Sequence, residues 1–401
     1  MNNVPSGERL HIGFFGRRNA GKSSLVNAVT SQSMSVVSDV PGTTTDIVKK
    51  SMELLPLGPV VIIDTPGIDD EGELGKLRVD RASSTIKQCD LAVIVIDARE
   101  KIGNYENRLA GELEKEHIPF ILCVNKREMI SEDDRQRFVA DSMDKVVSAK
   151  QIVFVSSYDQ DDIEALKKAI IELMPKGREK YILRDLVHEG DNVVLVIPID
   201  ESAPKGRIIL PQQLVLRELL DLNCSAICCQ PGGLRNILDS LNAPPSLVIT
   251  DSQAFGEVAR IVPEKVRLTS FSVLMARYKG DYDLLKEGIS AIDVLQDGDR
   301  VLVSEACTHH RQCNDIGTVK IPTLLKKYTG KELIFSFTEG GEFPRDISDY
   351  ALIVHCGGCM IGESEMKARL KKARDKNVPI VNYGMLFAKI NGILERISNI
   401  L

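Results

Sequence analysis

The stretch that most narrows the possible folds is Gly16-Arg17-Arg18-Asn19-Ala20-Gly21-Lys22-Ser23, set between the apolar run HIGFFG at 11–16 and the helix-forming run SLVNAVTS at 24–31. This is the GxxxxGKS spacing, and it works only between a strand and a helix. Glycines at both ends let a loop wrap phosphate oxygens with its N–H groups, and the following helix turns its positive end toward them. Lys22 is placed to neutralise the β and γ oxygens, and the Ser23 hydroxyl to ligate Mg2+.

Four further elements follow in order, each at the carboxyl end of a predicted strand or in the segment before it. Pro41-Gly42-Thr43-Thr44-Thr45-Asp46 offers Thr44 as the switch threonine. Asp64-Thr65-Pro66-Gly67 closes PVVIID with an acid for the metal and a glycine for the γ-phosphate. Asn125-Lys126-Arg127-Glu128 ends PFILCV where a base-reading loop belongs, and Ser156-Ser157 ends QIVFV as the last base loop. The alternation of strand and helix predicts an α/β nucleotide-binding fold with a mainly parallel sheet.

Residues 9 to 175 resemble the TrmE/Era class of GTPases, with GRRNAGKSSL and DTPG carrying the likeness. The resemblance implies GTP and GDP held by Asn19, Ala20, Gly21, Lys22, Ser23, Ser24, Thr44, Asp64, Gly67, Asn125, Lys126, Glu128, Ser156 and Ser157. It implies Mg2+ at Ser23, Thr44 and Asp64, K+ at Asn19 in place of an arginine finger, and catalysis resting on Lys22, Ser23, Thr44, Asp64 and Gly67. Ile68 follows Gly67 where glutamine would orient the attacking water, so slow intrinsic hydrolysis is expected. Glu128 stands where the class has aspartate, and guanine selection has to absorb one extra methylene.

At 401 residues the chain is expected to divide into two or three domains. The polar run Pro175 to Lys180 reads as a linker. Beyond it, strands at 192–199, 225–229 and 247–250 alternate with helices at 212–222 and 233–241. Three strands bury little, so residues 176–265 are assigned to homodimer formation through an open edge or face. The pair Cys228-Cys229 in this module reads as core. Residues 266–401 form a second doubly wound sheet, with strands at 300–305, 332–337, 351–354 and 379–382 and a helix from Glu363 to Lys376. In that helix Glu363 and Glu365 precede Lys367 and Arg369 by four positions, which reads as a solvated face.

Two of those strands run into Cys307-Thr308-His309 and into His355-Cys356-Gly357-Gly358-Cys359. Loops at strand carboxyl ends can meet although 45 positions separate the motifs. Thiolates with imidazoles select zinc or an iron–sulfur cluster over Mg2+ or Ca2+. Three thiolates are one short of the four that usually hold a cubane, leaving the last iron to His309, His355, water or something exchangeable. A tetrahedral zinc on Cys307, Cys356, Cys359 and one histidine, or a Cys356–Cys359 disulfide, also fits these residue types.

The net charge of −6 and an aromatic content of 5% without tryptophan argue against a nucleic-acid partner. No apolar run approaches a membrane span and no secretory signal opens the chain, so a cytoplasmic protein with reduced thiols is expected.

A GTPase half, a small module and a CxH…HCxxC domain together resemble the HydF family, maturation GTPases of iron-only hydrogenases, along essentially the whole chain. The resemblance implies a scaffold that binds a 4Fe-4S cluster through Cys307, Cys356 and Cys359, with His309 and His355 as candidate fourth ligands or neighbours. It implies a diiron precursor accepted from two radical SAM maturases and handed to apo-hydrogenase. The runner-up is a ribosome- or RNA-associated GTPase with a structural zinc domain.

Overall fold

A computed structural model describes residues 8–31, 48–65, 85–143, 151–174, 181–199, 208–306, 315–398 and 400. Thr44, Gly67, Ile68, Cys307 and His309 lie outside the described residues. The chain forms two compact units, Met1–Gly177 and Arg178–Leu401.

The first unit is built on β1 (Leu10–Gly16), β2 (Val48–Leu54), β3 (Gly58–Asp64), β4 (Leu91–Asp97), β5 (Phe120–Asn125) and β6 (Gln151–Val155), in the order β2-β3-β1-β4-β5-β6. All pairs are parallel except β2 with β3. The run LAVIVID of β4 is buried at every position. Val93 and Val95 face the core that holds Leu25 of the helix Lys22–Ser31, while Ala92, Ile94 and Ile96 face Leu109 of the helix Asn104–Lys115. An unbroken apolar run with a helix on each face is what a central parallel strand requires, and each fully buried valine or isoleucine contributes roughly 1.5–3 kcal/mol. The chain leaves β1 for β2 and β3 on one side and crosses to β4 on the other. The loop after β1 therefore sits at the topological switch point, where crevices open.

The second unit holds two all-parallel four-stranded sheets. One contains β7 (Asn192–Val196), β8 (Ser225–Cys229), β9 (Leu247–Thr250) and β10 (Leu268–Ser270) in the order β10-β9-β7-β8. The boundary expected at residue 265 falls between β9 and β10 of this one sheet. With only three residues, β10 is too short for its period to show in sequence. Cys224 is buried and Cys229, half-buried on the edge strand β8, packs against the core that holds Val196 and Leu234, whereas Cys228 is exposed, so the core reading of the vicinal pair is corrected for Cys228 alone. An edge strand has a neighbour on one side only, which leaves its alternate side chains uncovered.

The other sheet contains β11 (Arg300–Glu305), β12 (Ile334–Glu339), β13 (Leu352–His355) and β14 (Ile380–Asn382) in the order β12-β11-β13-β14. The helix Phe271–Lys279 joins the two sheets into one body. Phe271 and Leu274 pack in the core over β7 and β9, while Val273 and Ala276 pack in the core over β11 and β13. No helix among the described residues is long and apolar enough to cross a membrane.

Candidate nucleotide and metal sites

In the first unit the phosphate loop is shaped by residues in the left-handed region, Asn19 at φ 63° and Gly21 at φ +89°. A Cβ at Gly21 would lie 2.1 Å from the Asn125 Nδ2, so only glycine admits the base-reading loop this close. Lys22 Nζ donates to the carbonyls of Gly16 at 3.0 Å and Arg17 at 2.8 Å, holding its charge over the loop. Ala20 is buried and Ser24 exposed on the helix beginning at Lys22. Arg17 grips the buried Glu106 with two hydrogen bonds of 2.9 and 3.0 Å, fixing the loop from below.

The Ser23 hydroxyl donates to Asp64 Oδ2 at 2.7 Å. Asp64 Oδ1 is buried with no hydrogen-bond partner among the described residues. Burial raises the Asp64 carboxyl above its usual range, against the lowering effects of the Ser23 hydrogen bond and the Lys22 charge. An orphaned buried carboxylate oxygen beside a hydroxyl is a donor set that fits Mg2+, whose charge would relieve that burial.

The base loop is braced on the phosphate loop. Asn125 Nδ2 donates to the Ala20 carbonyl at 3.0 Å, and its Oδ1 is buried with no partner among the described residues. Lys126, left-handed at φ 62°, donates to the Asn19 carbonyl at 2.8 Å and to Asp97 Oδ2 at 2.7 Å. Two hydrogen bonds from Arg99, with help from Lys126, hold the Asp97 carboxyl far below the usual carboxylate range. Glu128 is exposed on the turn Arg127–Met129. Arg127 ties this turn to Asp159 and Asp162, and Asp162 accepts from the Ser156 amide at 2.7 Å, so the two base loops are bonded to each other; Ser157 sits in the turn that follows β6. The sequence reading missed Arg17, Glu106, Asp97, Arg99 and Arg127. Only Asp97, an acid closing an apolar strand, carries a local signal.

In the second unit the two cysteine motifs follow adjacent strands. Ser304 of β11 is paired with His355 of β13, and the Cys356 amide donates to the Ser304 carbonyl at 3.0 Å. Cys356 Sγ accepts from the amide of Ala306 at 3.0 Å and from that of Gly358 at 3.4 Å. Ala306 is the residue immediately before Cys307, so the end of β11 already touches the sulfur that follows β13. Cys356 is buried and Cys359 half-buried. Amides aimed at sulfur stabilise a thiolate, and a thiolate pair three residues apart at a switch point fits a sulfur-bound metal group. Among the described residues no three metal-ligating side chains converge.

His355 is 1% exposed and engaged at both ring nitrogens: Nδ1 lies 2.7 Å from the Cys356 carbonyl, and Nε2 lies 3.1 Å from Arg369 NH1. A guanidinium can only donate, so Nε2 is the acceptor and Nδ1–H donates to Cys356. This pose makes His355 a clamp on the Cys356 backbone. Arg369, 3% exposed, also donates to the Gly340 carbonyl at 2.7 Å and to Glu365 at 2.5 Å. The solvated face expected for the helix Glu363–Asp375 therefore holds for the exposed Lys367 with its half-buried partner Glu363 but not for Glu365–Arg369, because a turn through Gly340 covers that side. Behind the loop, burial and the Cys356 sulfur push the Tyr383 hydroxyl well above its usual range, so it stays a donor to Glu305 at 3.2 Å.

Residues 11–126 match the family model described as 50S ribosome-binding GTPase. Residues 182–280 match the hydrogen maturase F dimerization domain and residues 283–400 its tetramerization domain, together more than half of the chain. The chain belongs to the hydrogen maturase F (HydF) family. A GTPase domain joined to the two domains of a HydF hydrogenase maturase is thus the architecture of this protein, and both C-terminal models are named for self-association. GTPase Era of Ruminiclostridium cellulolyticum is 26% identical over 69% of this chain and 95% of its own length. The tRNA modification GTPase MnmE of Alkaliphilus metalliredigens is 30% identical over 43% of this chain and 36% of its own. Among solved structures, Era of Aquifex aeolicus bound to GDP and AlF4− aligns over 55% of this chain and 93% of its own at 18% identity, with a TM-score of 0.36.

Proposed function

We propose that this HydF-family chain is a GTP-hydrolysing scaffold that carries the diiron precursor of the hydrogenase active site. It would receive that precursor from two radical SAM maturases and deliver it to apo-hydrogenase. The observation that carries the reading is the pair of amide hydrogen bonds on Cys356 Sγ, one from each of the two motif-bearing loops. Cys356 and Cys359, with Cys307, would hold a 4Fe-4S cluster, the three thiolates leaving one iron open for exchange. When bound, the cluster supplies an anchoring metal corner for cargo. The protein's own part is to fix the Cys356 backbone through His355 and Arg369, keep water from the buried sulfur, and leave Cys359 at the surface side.

In the first unit Lys22 and the loop amides bind the phosphates, Ser23 and Asp64 hold Mg2+, and Asn125 and Lys126 present the base loop, with Glu128 at its rim. Thr44 and Gly67 would complete the site around the γ-phosphate, and Asn19 would contribute to a K+ site. Nucleotide state, through Thr44 and Asp64, would bias partner docking or release.

The test is anaerobic isolation with metal analysis. Cys356→Ser and Cys359→Ser should each lower iron content and stop hydrogenase activation while GTP turnover stays near wild type. One tetrahedral zinc in a colourless protein would defeat the carrier reading and favour a structural metal. Hydrolysis at equal rates in Na+ and K+ would remove the role given to Asn19.

A further inference from the structure

The helix Phe271–Lys279 ends on a lysine that is 2% exposed, a rare condition for a side chain that ordinarily keeps its ammonium in water. Lys279 Nζ donates to the Ile361 carbonyl at 3.1 Å and to the Cys359 carbonyl at 3.4 Å. These two carbonyls bracket the segment that leaves the HCGGC motif. The same helix is tied to the neighbouring strand end, where the Ser272 carbonyl accepts from Asn382 Nδ2 at 2.8 Å and the Ser272 hydroxyl accepts from the Gly384 amide at 3.1 Å. A Cβ at Gly357 would stand 3.8 Å from Ser272 Oγ and 3.9 Å from Met275 Cβ, so the helix is the floor of the loop. That helix lies within residues 182–280, matched by the dimerization domain, whereas the loop lies within 283–400.

We infer that Lys279 is a positioning residue for the cysteine loop that also supplies a built-in positive charge to the group the loop binds, linking the dimerization module to the metal site. The inference rests on the cluster reading above. A cube on three thiolates carries net negative charge and gains one more on reduction. A cation kept out of water beside it favours both retention and the reduced form. A lysine that only filled space would affect neither potential nor charge balance.

The experiment compares wild type, Lys279→Met and Lys279→Arg, each reconstituted anaerobically with ferrous iron and sulfide. Loss of the cluster to bathophenanthroline and the midpoint potential in a dithionite titration followed by electron paramagnetic resonance are measured. K279M should lose iron about tenfold faster, the effect typical of disturbing groups that support metal ligands, and its potential should become more negative. K279R should keep the wild-type potential. If K279M does not fold, K279Q, uncharged but able to donate one hydrogen bond, replaces it with the same expectation. A K279M or K279Q protein with wild-type potential overturns the inference even if its stability falls, since that is the signature of packing alone. Equal potential shifts in K279M and K279R also overturn it. A wild-type protein that takes up no cluster defeats the carrier reading and this inference together, whereas a loaded wild type with an unchanged variant defeats this inference alone.

Discussion

The two glycines between Cys356 and Cys359 look equivalent in sequence and are not equivalent in the fold. Gly358 is left-handed at φ +64°, and a Cβ there would lie 2.1 Å from Cε of Met366, which is buried in the same core as Ile361 and Leu370. Gly357 lies outside the left-handed region, and its Cβ would meet nothing closer than 3.8 Å. Gly358→Ala should cost about 1 kcal/mol for the backbone and about another 1 kcal/mol to displace an adaptable but buried methionine. Gly357→Ala should cost less than about 0.5 kcal/mol, as for a substitution without a named defect. For a unit of this size, about 2 kcal/mol lowers the melting temperature by roughly 4–8 °C. Differential scanning calorimetry of the full chain reads this directly. The relevant transition is the one that added GTP does not raise, since ligand binding stabilises only the unit that binds it. G358A should move that transition and G357A should not. Equal shifts in the two variants, or a G358A transition within about 1 °C of wild type, would refute the geometry given to this loop.

Arg369→Met should destabilise the same transition by about 3 kcal/mol or more, since it strands the carboxylate of Glu365 and the Nε2 of His355 in the interior. Lys367→Met, which breaks the pair between this exposed lysine and Glu363 on the same helix, should stay within about 0.5 kcal/mol; similar losses in the two variants would contradict the burial difference. For Asp97, held below the ordinary 3.8 first by Arg99 and then by Lys126, the stabilisation is present above pH 3.8 and is lost as pH falls further. Asp97→Asn should therefore cost the nucleotide unit about 2 kcal/mol at neutral pH, the worth of hydrogen bonds to a charged group. Its deficit against wild type should close below pH 3.8; a deficit that widens in acid would show that the sign is wrong.

The GTPase half was legible because its chemistry is local. A phosphate loop needs glycine, lysine and serine at fixed spacing between a strand and a helix, and short apolar runs such as PVVIID and PFILCV, each ending on a polar motif, read as buried strands. That the strands carrying the two cysteine motifs, β11 and β13, would lie side by side was legible for a similar reason, since loops at strand carboxyl ends are built at a switch point. Less could be read in the middle module. A three-residue strand such as Leu268–Ser270 has no period of its own and exists because β9 offers an unpaired edge.

Sequence alone determined where the phosphate loop and its Mg2+ chemistry belong, because these depend on residue types at short spacing between a strand and a helix. Tertiary structure decided which similar residues differ. Gly357 has room for a Cβ while Gly358 does not, Lys367 is solvated while Arg369 clamps His355, and Lys279 lies buried beneath a loop 80 positions away. Those distinctions depend on what packs against each side chain, and long-range packing is set by the whole fold, not by neighbours along the chain.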